Sequence, residues 1–334
     1  MSRPSPLPVL RKEPAPILAC LDLSPRSGPV ARMAALFAKQ TGRPLVFFHA
    51  MEGDLPAHQL PDPLEWHLSR SRARRFLEDL AASVEDSPGT IEITIREGQW
   101  QTALAEQCAA LDPDIVIIGS SRSGDSGHLS GALLERGAGG LLVVPSRDFS
   151  EPAGRMRVMV PLDGSRFADT ALSRARAIAR MAAGELLLAH VIPSAGIEEF
   201  GPPGIGDLEL ERQIDRRNER AACEFLEAAL RRLQAEGISA RSRCLKGDPR
   251  ACLDRLMAEE RPGLVVLSAR GQGVKTCENM ALGSTAAYLL DHASVPIMVV
   301  PSRAATWRGE MPATSGTEGA FSARIPLNRR PAAA

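Results

Sequence analysis

This sequence of 334 residues lacks net charge, paired cysteines and long apolar runs. Lys+Arg 40 against Asp+Glu 40 leaves a formal charge of zero. No overall field therefore draws the chain to nucleic acid or to an anionic membrane surface. The cysteines (Cys20, Cys108, Cys223, Cys244, Cys252, Cys277) form no C-x-x-C pair, which argues against a disulfide framework or a zinc site of the usual spacing. They read as free thiols in a reducing compartment, so the expected location is cytoplasmic. The most apolar stretches, 115–118 and 264–267, fall far below the roughly 20 residues a helix needs to cross a bilayer. The start, with Pro4, Pro6 and Pro8, holds no apolar run of signal-peptide length. The expected partners include neither nucleic acid nor membrane. Also missing are G-x-x-x-x-G-K-[ST], a strand-linked G-x-G-x-x-G and a G-x-S-x-G elbow, so P-loop, dehydrogenase and acyl-transfer chemistry lose their support.

What is present is a duplication. An apolar run from Pro16 ends in Asp22-x-Ser24, and another from Arg157 ends in Asp163-x-Ser165. The two aspartates stand 141 residues apart, as do His49 and His190 at the end of the next apolar run. Gly98 then answers Gly247, the runs 114–119 and 263–268 correspond, and both copies close on Val-Val-Pro-Ser-Arg at 143–147 and 299–303. Five matches in one order predict two related units, 14–147 and 155–303, with a linker at 148–154 and a disordered tail at 304–334.

Within each unit, runs of four to six residues rich in Val, Ile and Leu alternate with longer helical patterns. This is the signature of buried parallel strands joined by crossover helices, so the fold class is α/β: two tandem open parallel sheets flanked by helices, of nucleotide-binding type. Ala222, Leu226, Ala229 and Leu233 recur at helical spacing and should face a sheet, with Arg231, Arg232 and Glu236 between or beyond them. The arginines between 64 and 84 read as the solvated face of the matching helix.

In such a sheet, ligands bind beyond the carboxyl ends of the strands. Three segments of the second unit should end there: Asp163-Gly164-Ser165, His190-Val191, and the loop from Ser268 through Gly271 and Gly273 to Gly283-Ser284-Thr285. Asp163 can accept a hydrogen bond from a ribose hydroxyl, and the backbone at Val191 can pair with an adenine edge. Glycines allow close backbone approach, and a helix start bearing Ser284 and Thr285 offers N–H groups and hydroxyls to phosphate. The plainer readings are a helix cap at Asp163-x-Ser165, another at Gly283-Ser284, and core histidines at His49 and His190.

On these residues the chain resembles the universal stress protein family. That family has a strand ending in Asp-x-Ser, a second ending in His-Val, and a Gly-x2-Gly-x9-Gly-Ser/Thr loop before a helix and a final Pro-Val-x-Val-Val strand. The resemblance implies ATP as ligand, with or without magnesium. The implied contacts are Pro161, Asp163, Val191, the backbone from Leu267 through Ser268 to Gly271, and Gly283, Ser284 and Thr285, with Arg270 and Lys275 as candidate phosphate cations. Ser268 stands where the first glycine belongs, and eleven residues rather than nine separate Gly271 from Gly283. In the first unit Gly119 is kept, but Arg122 and Ser130-Gly131 replace the rest of the loop, which implies an altered phosphate cradle there. The family also pairs single domains through their last strands. Residues 141–144 should therefore meet 297–300 in an intramolecular pseudo-dimer, with a homodimer left open.

The implied function is that of an adenine-nucleotide-binding stress-response or signalling protein. Slow ATP hydrolysis and a protein-interaction scaffold without nucleotide are the alternatives. No residue stands out as a catalytic base, and none as a metal ligand.

Overall fold

Ten strands and seven helices form among the described residues of this computed structural model, which are 14–52, 63–84, 91–120, 133–134, 139–145, 155–193, 205–271 and 282–301. The expected linker and tail, and Arg122, Ser130, Gly131, Gly273 and Lys275, lie outside them.

The strands of the first unit are β1 (Ile17–Cys20), β2 (Leu45–Met51), β3 (Glu92–Glu97), β4 (Ile115–Gly119) and β5 (Leu141–Val144). Those of the second are β6 (Arg157–Pro161), β7 (Glu185–Ile192), β8 (Ala240–Lys246), β9 (Leu264–Ser268) and β10 (Ile297–Val300). All ten lie in one sheet, ordered β3-β2-β1-β4-β5-β10-β9-β6-β7-β8. Each half is parallel throughout. The halves join through an antiparallel ladder in which Val143, Leu142 and Leu141 face Ile297, Met298 and Val299.

The β-branched and leucine-rich runs suit strands buried on both faces, because every side chain then has an apolar partner whichever way it points. Along β6, Val158 and Val160 enter the core on one face and Met159 that on the other. The first face is covered by α1 (Ser27–Thr41), α2 (Pro63–Ser83), α4 (Ala168–Met181) and α5 (Ile205–Ala235). The second is covered by α3 (Trp100–Leu111), α6 (Pro249–Glu260) and α7 (Ser284–His292). On α5, Ala222, Leu226, Ala229 and Leu233 are buried as their spacing predicts. On α2, Arg70 and Arg74 point into water. Among the described residues no helix is long and apolar enough to cross a membrane.

In both halves the chain leaves the first strand toward one neighbour and returns on the other side, so β1 lies between β2 and β4 and β6 between β7 and β9. The connections diverge there, and a crevice opens at the carboxyl ends of those strands.

Candidate functional site

The crevice of the second unit is held open by a short set of bonds. Beyond β6, the backbone N–H of Leu162 donates to Ala189 O at 2.7 Å, and its carbonyl accepts from Nδ1 of His190 at 2.6 Å. A carbonyl can only accept, so Nδ1 carries the proton. His190 is buried and packs edge-on against Phe225 at 6.0 Å, as a structural histidine does. The same device recurs in the first unit, where Leu21 N donates to Phe48 O at 2.9 Å and His49 Nδ1 to Leu21 O at 2.8 Å.

With Leu162 pinned, Asp163 projects at the mouth. Its Oδ1 accepts from Ser165 N at 2.9 Å across Gly164, whose φ of +75° closes the turn. Ser165, rather than Asp163, serves the following helix, its hydroxyl accepting from Ala168 N at 3.3 Å. The Asp163-x-Ser165 segment is thus a turn whose serine meets the helix start and whose aspartate lies at the crevice.

From the other side, Ser268 Oγ donates to Arg270 O at 2.7 Å and Ala269 N to Val300 O at 2.8 Å. Gly283 N donates to Ala269 O at 2.7 Å, drawing the start of α7 onto the loop after β9. Gly283 is extended and brings no side-chain cap to α7. Gly271 packs so closely on Asp163 that a Cβ there would collide with Oδ2.

These contacts enclose a cavity of about 380 Å³. Its lining brings together ten of the residues named from the sequence, Pro161, Asp163, Val191, Leu267, Ser268, Arg270, Gly271, Gly283, Ser284 and Thr285, while Gly273 and Lys275 lie outside the described residues. The pattern missed its apolar walls, chiefly Ala189, Pro249 and Leu253. They come from β7 just before His190-Val191 and from the first turns of α6, positions that no motif marks. Chemically the cavity offers an apolar slot, one carboxylate, a glycine-bordered loop and an uncapped helix start, with Arg270 as its cation among the described lining residues. No group of His, Cys, Asp or Glu suited to hold a metal ion occurs among the described residues.

Compared with known proteins, residues 15–137 and 154–301 each match the Universal stress protein family. A universal stress protein from Archaeoglobus fulgidus is 20% identical, with 85% of this chain and 95% of that one covered at a TM-score of 0.58. A functionally unknown protein from Pseudomonas aeruginosa is 19% identical, with 86% and 92% covered at a TM-score of 0.59. At that identity both likenesses bear on the fold alone. An Arabidopsis thaliana family protein was solved with AMP bound; it is 19% identical, covers 44% of this chain and 91% of its own, and its TM-score of 0.32 carries no weight for the site. No curated protein matches.

Proposed function

Since the chain belongs to the universal stress protein family, we propose that it binds an adenine nucleotide, ATP first, in the cavity of the second unit and acts as a stress-response or signalling module. The observation that carries this reading is the convergence of Asp163, Gly271 and the start of α7 on one cavity at the strand-order reversal. In it, Asp163 receives a ribose hydroxyl and the backbone at Val191 meets the adenine edge. Gly283, Ser284, Thr285 and Arg270 hold the phosphates, where N–H groups and a guanidinium favour negative charge. Magnesium would enter with the triphosphate. None of the five described cysteines is in a disulfide, which suits a reducing compartment, and we place the protein in the cytoplasm.

Calorimetric titration of the full chain with ATP tests the assignment. One equivalent should bind, and Gly283→Val should weaken it by about tenfold or more, the equivalent of roughly 1.4 kcal/mol. No binding at millimolar nucleotide, or equal binding by the variant, would reject the site.

A further inference from the structure

The first unit has a cavity at the matching place, beyond the ends of β1, β2 and β4, with a volume of about 520 Å³. Its walls differ in kind from those of the second unit. The 141-residue offset that aligns Asp22 with Asp163 sets Cys20 where the second unit has Pro161, and Phe48 where it has Ala189. From Gly98 and Gly247 the offset is 149 residues, and Trp100 then takes the place of Pro249. All six of these residues line their respective cavities. Phe48, Met51 and Leu104 are buried behind the surface, while Trp100 is half-buried at its edge. A phenyl ring, an indole and a thioether converging on one space make a receptor for another ring.

The rim is acidic. Asp22 and Glu52 both line the cavity and are exposed, and no Lys or Arg occurs among its described lining residues. Burial alone would raise the pKa of Asp22, but hydrogen bonds from Ser24 and Ser27 and the nearby Arg26 outweigh it and hold the pKa below its ordinary value. Glu52 Oε1 accepts from Trp100 N at 2.8 Å, so a carboxylate already occupies the N-terminal end of α3, where an anion would otherwise be welcome. Among the described lining residues phosphate or carboxylate would meet two carboxylates, Asp22 being partly offset by Arg26 at 3.9 Å. A cation would meet two carboxylates beside an indole face.

We propose that the first unit's cavity binds a neutral or cationic aromatic small molecule, its ring against Trp100 and Phe48 and any amine toward Asp22 and Glu52. The chain then carries two sites of opposite preference, and the proposal stands whether or not the second unit binds nucleotide.

Two fluorescent probes of similar size separate the outcomes: neutral N-phenyl-1-naphthylamine and anionic 1-anilinonaphthalene-8-sulfonate, each titrated into the full chain. The neutral probe should bind saturably at one equivalent, quench tryptophan emission and resist displacement by ATP. The anionic probe should bind about tenfold more weakly or worse, as repulsion at a desolvated rim requires. Ala50→Phe, which fills the mouth, should lower affinity for the neutral probe by about tenfold or more. Ser69→Lys, on the exposed face of α2, should raise affinity for the anionic probe by about threefold and leave the neutral one nearly unchanged. Absence of saturable binding, displacement by ATP, or an Ala50→Phe variant that melts normally and binds equally would each overturn the proposal. Should Ala50→Phe fail to fold, an anionic-probe affinity unaltered in Ser69→Lys overturns it instead.

Discussion

At Gly271 the missing side chain sets how near the loop after β9 comes to the carboxylate of Asp163. Gly271→Ala would push that carboxylate aside and spoil its geometry toward a ribose hydroxyl. ATP affinity is expected to fall by about tenfold, with little change in melting temperature because the atom displaced is the end of a side chain rather than backbone; unchanged affinity by calorimetry would separate Asp163 from the ligand. A second residue acts on stability through pH. Burial raises the Asp169 carboxyl from 3.8 to about 6, against a smaller lowering by Arg232. A carboxyl with a raised folded pKa favours the folded state while it is protonated, and that contribution is lost as pH climbs from 3.8 through about 6. Relative to the parent, Asp169→Asn should therefore gain about 1 kcal/mol between about pH 4 and pH 7, the full shift being discounted for partial exposure to water. Urea midpoints across that range check it, and a constant difference would contradict it. Residue identity was open to sequence reading where a motif existed, as at Asp163 and Gly283. It was silent at Leu23, which occupies the place of Gly164 and shares its left-handed turn with a φ of +58°. The backbone of the turn outlasted the glycine that suits it.

Helix α4 and the residue that leads into β4 belong to different units, yet a buried ion group ties them. Arg174 on α4 donates from Nη1 to Asp114 Oδ1 at 3.2 Å and from Nη2 to Oδ2 at 2.9 Å. Arg43, just before β2, adds its Nε at 3.4 Å from Asp114 Oδ2 and donates to Ala15 O at 2.9 Å. All three side chains are at most 8% exposed, so removing one partner strands charge in the interior. Asp114→Ala leaves two buried guanidiniums facing each other and is expected to cost about 3–5 kcal/mol. Arg174→Met, which installs the residue found at Met33 in the other unit, leaves Arg43 and Asp114 paired and should cost clearly less. Equal losses in chemical denaturation would deny Asp114 its central place. Such a group is illegible in one dimension, because single charges beside apolar runs read as solvated surface. The offset hints at it only afterwards: Asp114 corresponds to Gly263 and Arg43 to Gly184, so the group has no copy in the second unit. Strands and helices were legible because their apolar periods survive duplication. The apolar walls of both cavities were not, since no spacing rule marks the residues that happen to face a hollow.

Across the whole molecule most charges on the described strands sit at the outside of the sheet, Arg157 at the start of β6 and Glu185 at the start of β7 being paired with each other further in. The end strands β3 and β8 carry Glu92, Arg96 and Glu97, and Arg241, Arg243 and Lys246. Charged edges resist the addition of further strands. The two central strands β5 and β10 are wholly apolar and at most 8% exposed. Apart, each would present an unpaired apolar edge. Joined, Leu142 and Met298 face each other with no exposure, and each contributes roughly 1.5–3 kcal/mol through burial. The ladder between β5 and β10 satisfies both edges without a second molecule. The chain should then migrate as a monomer, and the amides of residues 141–144 and 297–300 should exchange only through global unfolding. Native-state hydrogen exchange in rising denaturant reads this directly: both segments should merge with the slowest core amides of β1 and β6. If instead they open together at low denaturant while β1 and β6 stay protected, the two units hold their folds separately. The ladder and the Asp114 group would then be a clasp between them rather than one continuous core.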